Sequence, residues 1–160
     1  MYDGFFKVII VGKQGVGLST LLRNYTGLVH SNDLFLTLGV DFYVKDFSCD
    51  RKPYKIQLWR FSEPFSDFIR IEQYFGGAKG LILLYDLTDL KSLQIIPRWV
   101  KFIADNELNI PAMLLGNKID LLDQRQVFND DIAYFVDTYG ISLAQEISAK
   151  EIKGNRGLGS

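Results

Sequence analysis

Gly12-Lys13-Gln14-Gly15-Val16-Gly17-Leu18-Ser19-Thr20 is the stretch that decides how this chain is read. Gly12, Gly17 and Ser19 fall in the frame G-x-x-x-x-G-K-[S/T], a loop whose backbone cradles phosphate groups. An apolar run over residues 5–11 precedes it and reads as a buried strand, and a helix-like stretch over residues 19–25 follows. Strand, loop and helix in that order give the frame its meaning. One position departs from it: Leu18 stands where the frame has its lysine. The main-chain N–H groups of Gln14, Gly15, Val16, Gly17, Leu18 and Ser19 can still hold phosphates, because such a site uses backbone and helix dipole. Leu18 cannot replace an ammonium there, and loss of a charge-assisted contact costs about 1.5–3 kcal/mol. Lys13, inside the loop, is a candidate replacement.

Outward from the loop, composition bounds the rest. At 160 residues with 48% hydrophobic content, one core forms without staples. A net charge of -1 gives no electrostatic case for nucleic acid or an anionic membrane. Cys49 is the single cysteine, which excludes an internal disulfide and fits a reducing, cytoplasmic setting. No apolar run reaches the length of a membrane span, no signal-peptide pattern opens the chain, and no prenylation cysteine or other lipid anchor closes it.

Apolar runs at residues 5–11, 41–49, 54–59, 80–85, 112–116 and 141–146 predict six strands. Asp50-Arg51-Lys52-Pro53 separates the second from the third and predicts an antiparallel hairpin. Helix-length segments separate the others and predict parallel pairing. Leu93, Ile96, Val100 and Ile103, widened by Trp99 and Phe102, mark one helix. Ile132, Phe135, Val136 and Tyr139 mark another, capped by Asn129 and stopped by Gly140. A further helix is expected over 66–74. The last residues, 151–160, form a short Gly-rich tail without periodicity.

Taken with Asn117-Lys118-Ile119-Asp120 and Ser148-Ala149-Lys150, the loop makes the resemblance specific. The chain resembles a small GTPase of the Ras superfamily, most of all its Rab branch. Rab-like strings recur in order at residues 37–42, 56–59, 74–78, 84–88, 114–118 and 125–127. The resemblance covers roughly residues 5–150. It implies a guanine site: Asp120 accepts two hydrogen bonds from the base, Asn117 braces the loops, and the Lys118 stem lies along the ring. Ser148, Ala149 and Lys150 form the turn that meets the base oxygen. A carboxylate matched to two adjacent donors rejects a base that leaves it unpaired. His30 stands near the place where the family puts an aromatic against the base. The same resemblance assigns Ser19 and Thr37 to Mg²⁺, with Thr37 also closing on the γ-phosphate, and counts Thr20 with the loop residues that bind the phosphates. Phe42, Trp59 and Tyr74 correspond to an aromatic triad on the Rab effector face, which implies protein partners there.

The second phosphate-side motif departs further. The family reads Trp-Asp-Thr-Ala-Gly-Gln where this chain has Trp59-Arg60-Phe61-Ser62-Glu63-Pro64. Arg60 replaces the aspartate that holds the metal through water, and Pro64 replaces the glutamine that orients the attacking water. Proline has no side-chain amide and a fixed φ.

The expected fold is α/β: a doubly wound, mostly parallel six-stranded sheet with helices on both faces, spanning residues 1–150. The resemblance implies a final helix after residue 150, where only residues 151–160 stand in this sequence, so one sheet face is expected to be partly uncovered, through truncation or for a partner to cover. The expected function is GTP or GDP binding with weakened Mg²⁺ use and slow or absent hydrolysis, acting through the effector surface. Two other readings fit the same residues: a scaffold that uses the effector face without nucleotide, and an active GTPase in which Arg60 or Lys13 replaces the loop lysine.

Overall fold

A computed structural model describes residues 1–27, 40–61 and 71–152. Six strands form one sheet: β1 Gly4–Gly12, β2 Val40–Cys49, β3 Lys52–Phe61, β4 Ala78–Asp86, β5 Ala112–Asn117 and β6 Leu143–Glu146. Their order is β2-β3-β1-β4-β5-β6, and every neighbouring pair is parallel except β2 with β3. The helices are α1 Leu18–Thr26, α2 Ile95–Asp105 and α3 Asn129–Tyr139.

Alternation along the strands separates two cores. Ile9, Val11, Phe61, Leu81, Leu83, Tyr85 and Leu114 face α2 and α3, joined by Leu93, Ile96 and Trp99. The expected helical stripes are the ones used: Val100, Phe102, Ile103, Ile132, Phe135, Val136 and Tyr139 all pack on this core. Ile10, Leu58, Leu84 and Leu115 point the other way, toward Leu21 and Leu22 of α1. On that face Val8, Ile56, Ile82 and Met113 are only half-buried. Among the described residues α1 is the one helix on that face.

Three local features differ from expectation. The hairpin turn is two residues, Asp50 and Arg51, with φ of 50° and 65°. Two positive φ values in sequence make the turn whose twist matches the flanking strands. Lys52 and Pro53 belong to β3, paired with Cys49 and Ser48. Pro53 drew the expected turn two residues too far, yet its carbonyl is used, accepting from the Asp3 N–H at 2.7 Å. α3 is capped from Phe128, whose backbone N–H donates to the Asp131 carboxylate at 2.9 Å, rather than from Asn129. β6 begins at Leu143, because the Ile141 N–H donates to the Val136 carbonyl and closes the end of α3 instead of joining the sheet. The helix expected over 66–74 falls largely outside the described residues; its described end, Ile71–Phe75, is a 3₁₀ turn.

Parallel register delivers the site. β1, β4 and β5 all end at one edge of the sheet, where Gly12 pairs with Leu84 and Asp86 with Asn117. Ligands of such sheets bind outside the carboxyl ends of the strands.

Candidate functional site

The loop after β1 encloses a cavity of about 490 Å³, lined by Gly12, Lys13, Gln14, Gly15, Gly17, Leu18, Ser19, Thr20, Arg60 and Phe61. Gly17 opens α1 with φ 94°, and a Cβ on it would lie 2.4 Å from the Asn117 amide nitrogen. That position therefore needs glycine on both conformational and steric grounds. Leu18 lies half-buried and packs on the α1-side core. Lys13 reaches sideways to Asp89 at 3.8 Å, both groups well exposed, so its ammonium is engaged away from the vacated lysine slot.

Beside this cavity a second one, of about 240 Å³, is lined by Gly17, Thr20, Asn117, Lys118, Asp120, Leu121, Ala149 and Lys150. Hydrogen bonds from three directions assemble it. Asn117, 3% exposed, donates to the Val16 carbonyl and accepts from the Ala149 N–H, each at 2.8 Å. Ser148 donates its hydroxyl to Asp120 at 2.8 Å. Asn24 of α1 donates to the Ala149 carbonyl at 2.8 Å. The phosphate loop, the turn after β5 and the turn after β6 are thus clasped by one asparagine. The structure brings together every described residue assigned to the base. His30 and Thr37 lie outside the described residues.

Lys118 has φ 71°, a conformation that costs a non-glycine residue energy and persists where its surroundings impose it. Its ammonium donates to the Gly15 carbonyl at 3.0 Å and pairs with Asp86 at 2.8 Å. Asp86 is a residue that motif reading passed over. It ends β4 and is nearly buried. Burial raises its carboxyl pKa, but hydrogen bonds from Lys118 and from the Thr88 hydroxyl and N–H outweigh that and hold it below the ordinary value. The signal available in the sequence was Asp86 two residues before Thr88, a spacing at which a carboxylate caps its own turn.

Arg60 sits in β3 opposite Asp41 of β2 and beside Ile10 of β1. Its parity along the strand is that of Leu58, so its side chain runs beneath the phosphate loop. Nη1 donates to Ser19 Oγ at 2.6 Å, and Nη2 lies 3.4 Å from Asp41 Oδ2. Arg60 is 7% exposed and Asp41 2%. The arginine is thus a buried side chain rather than a solvent-facing one.

On the opposite side of β3, Trp59 stacks on Phe42 at 5.4 Å between centroids and meets Tyr74 at 6.1 Å. Phe42 is 38% exposed, and the Lys7 ammonium lies 4.4 Å from the Trp59 ring centroid. The three aromatic residues form one contiguous cluster, with Trp59 and Tyr74 half-buried against the α2–α3 core and Phe42 exposed.

A glycine loop between a central parallel strand and a helix, next to a second turn clasped onto it, defines a P-loop nucleotide-binding α/β domain. The Ras family model matches residues 7–156. The human Ras-related protein Rab-19 is 32% identical over 153 residues, covering 95% of this chain and 70% of the relative. Rab-1D of Dictyostelium discoideum is 34% identical over 150 residues, covering 93% and 73%, and human Rab-8B is 33% identical over 150 residues, covering 93% and 72%. The chain belongs to the Ras family and is a Rab-like small GTPase. Proteins of this family bind guanine nucleotides together with Mg²⁺.

A guanine nucleotide fits the residues present. The two adjoining cavities lie where the resemblance puts phosphates and base, and Asp120 lines the smaller one. Mg²⁺ does not fit. It needs oxygen lone pairs in near-ideal octahedral array. Here the one described oxygen assigned to the metal, Ser19 Oγ, accepts a hydrogen bond from the Arg60 guanidinium at 2.6 Å.

Proposed function

We propose that this chain binds GDP and GTP selectively, hydrolyses GTP slowly or not at all, and acts in the cytoplasm as a switch or docking module through its Phe42–Trp59–Tyr74 surface. The base pocket carries the first part: Asn117, Asp120 and the Ser148–Lys150 turn are joined to the phosphate loop and to one another by hydrogen bonds within the protein itself. Such preorganisation lowers the cost of ordering on binding. The weak hydrolysis follows from Leu18, Arg60 and Pro64, which remove the loop charge, the metal's water-held carboxylate and the water-orienting amide together.

Thermal unfolding tests selectivity. GDP and GTP should raise the melting temperature more than ADP and ATP, since a ligand of the folded state stabilises it by mass action. Asp120→Ala should erase the difference. Equal shifts for guanine and adenine nucleotides in the wild type defeat the proposal. The exposed aromatic surface supports a second reading, a scaffold that needs no nucleotide. Mass identification of whatever small molecule is released on denaturing the purified protein separates the two.

A further inference from the structure

We infer that Arg60 is the resident cation of the phosphate site, standing in place of Mg²⁺, and that the protein binds GDP without a divalent metal. The inference rests on the guanine-nucleotide reading above and adds to it the identity of the positive charge.

Three observations converge. Arg60 lines the phosphate cavity from below, together with the loop that would hold the β-phosphate. Its Nη1 donates to Ser19 Oγ at 2.6 Å, so the hydroxyl oxygen that would otherwise face a metal gives its lone pair to a guanidinium. That donation also orients Ser19: with the oxygen accepting from Arg60, its own hydrogen is directed away from the guanidinium, where a phosphate oxygen can accept it. Third, the arginine is built in rather than draped over the surface. It is 7% exposed, sits in the sheet between β2 and β1, and is matched by the buried carboxylate of Asp41 at 3.4 Å.

Charge makes the arrangement self-consistent. Leu18 removes a positive charge from the loop, and Lys13 turns to Asp89. A diphosphate bound there would face backbone N–H groups and one guanidinium. A guanidinium is always protonated and binds phosphate through paired N–H donors. Asp41 holds it in place and compensates the burial of its charge. A dication brought to Ser19 would meet this fixed cation at close range.

The test uses the intact chain, stripped of nucleotide, and GDP as probe. Titration calorimetry in Mg²⁺ and again in EDTA gives two dissociation constants. The expected ratio is below about threefold, since no metal contact is lost. A loss of tenfold or more on chelation overturns the inference while leaving guanine binding intact. Failure to bind GDP in either buffer overturns the guanine reading and the inference with it. Arg60→Gln alone strands a buried carboxylate, so it is paired with Asp41→Asn, which removes both charges together. If this double variant melts cooperatively, its GDP affinity in EDTA should fall by about tenfold or more, with guanine still preferred over adenine. An unchanged affinity refutes the assignment. Arg60→Lys, which keeps the charge but not the paired donors, should fall between the two.

Discussion

Truncating Asn117 to alanine tests whether the nucleotide site is a structural clasp before any ligand arrives. The side chain makes two bonds at 2.8 Å, one donated to the Val16 carbonyl and one accepted from the Ala149 N–H. Val16 is 2% exposed and Ala149 1%, so Asn117→Ala strands two buried backbone groups belonging to different loops. Each stranded group costs about 1–3 kcal/mol. Water entering the vacated space recovers part of this, which places the net loss at about 2–4 kcal/mol. For a chain of this size each kcal/mol shifts the melting temperature by roughly 2–4 °C, so the apo variant should melt about 5–15 °C lower. Differential scanning calorimetry of nucleotide-free protein measures it directly. Asn117→Asp keeps the acceptor for Ala149 but turns a carboxylate onto the Val16 carbonyl, and should be at least as damaging. An apo shift under about 2 °C for Asn117→Ala would show that the three loops hold their places independently, and the preorganisation argument fails.

Single-turnover phosphate release from GTP should be slower than the intrinsic small-GTPase rate of roughly 10⁻⁴ s⁻¹, and Leu18→Lys should strengthen nucleotide binding more than it speeds turnover, because Arg60 and Pro64 remain; wild-type release at that rate or faster refutes the impaired reading. Asp86 has a folded pKa below its ordinary 3.8, so its stabilising effect is full above that pH and is lost as pH falls through the folded value. The stability margin of the wild type over Asp86→Asn, read from urea midpoints, should therefore be constant near neutrality and shrink below about pH 4; a margin that does not change with acid contradicts the Lys118 pairing. Arg51→Gly relieves a side chain held at φ 65° in the hairpin and should stabilise by about 0.5–1 kcal/mol, seen as a higher melting temperature.

Much of this architecture was legible because it rests on short-range pattern. Apolar runs marked β1, β3 and β4, and the Leu93–Ile103 stripe marked the helix that packs on them. The base pocket was legible for a different reason: Asn117, Asp120 and Ser148 sit at motif spacing, and their hydrogen bonds follow once parallel register brings the strand ends together. Arg60 was visible as a substitution, but its destination was not. Its pairing with Asp41 depends on a residue-for-residue hairpin register, and that register depends on a turn at Asp50 and Arg51 that carries no glycine or asparagine to announce it. Asp86 was hidden likewise, since its partner Lys118 comes from a neighbouring strand end and takes a backbone conformation that residue type does not suggest.

Successive residues of β3 look in opposite directions, Trp59 toward the outer aromatic surface and Arg60 toward the phosphate loop. The chain has two tryptophans, and the other, Trp99, is 2% exposed in the core. Emission from Trp59 should thus respond to any shift of its strand while Trp99 supplies a steady background. A nucleotide bound beside Arg60 should therefore register one peptide bond away, as a change in Trp59 emission that needs no dye, label or modified nucleotide.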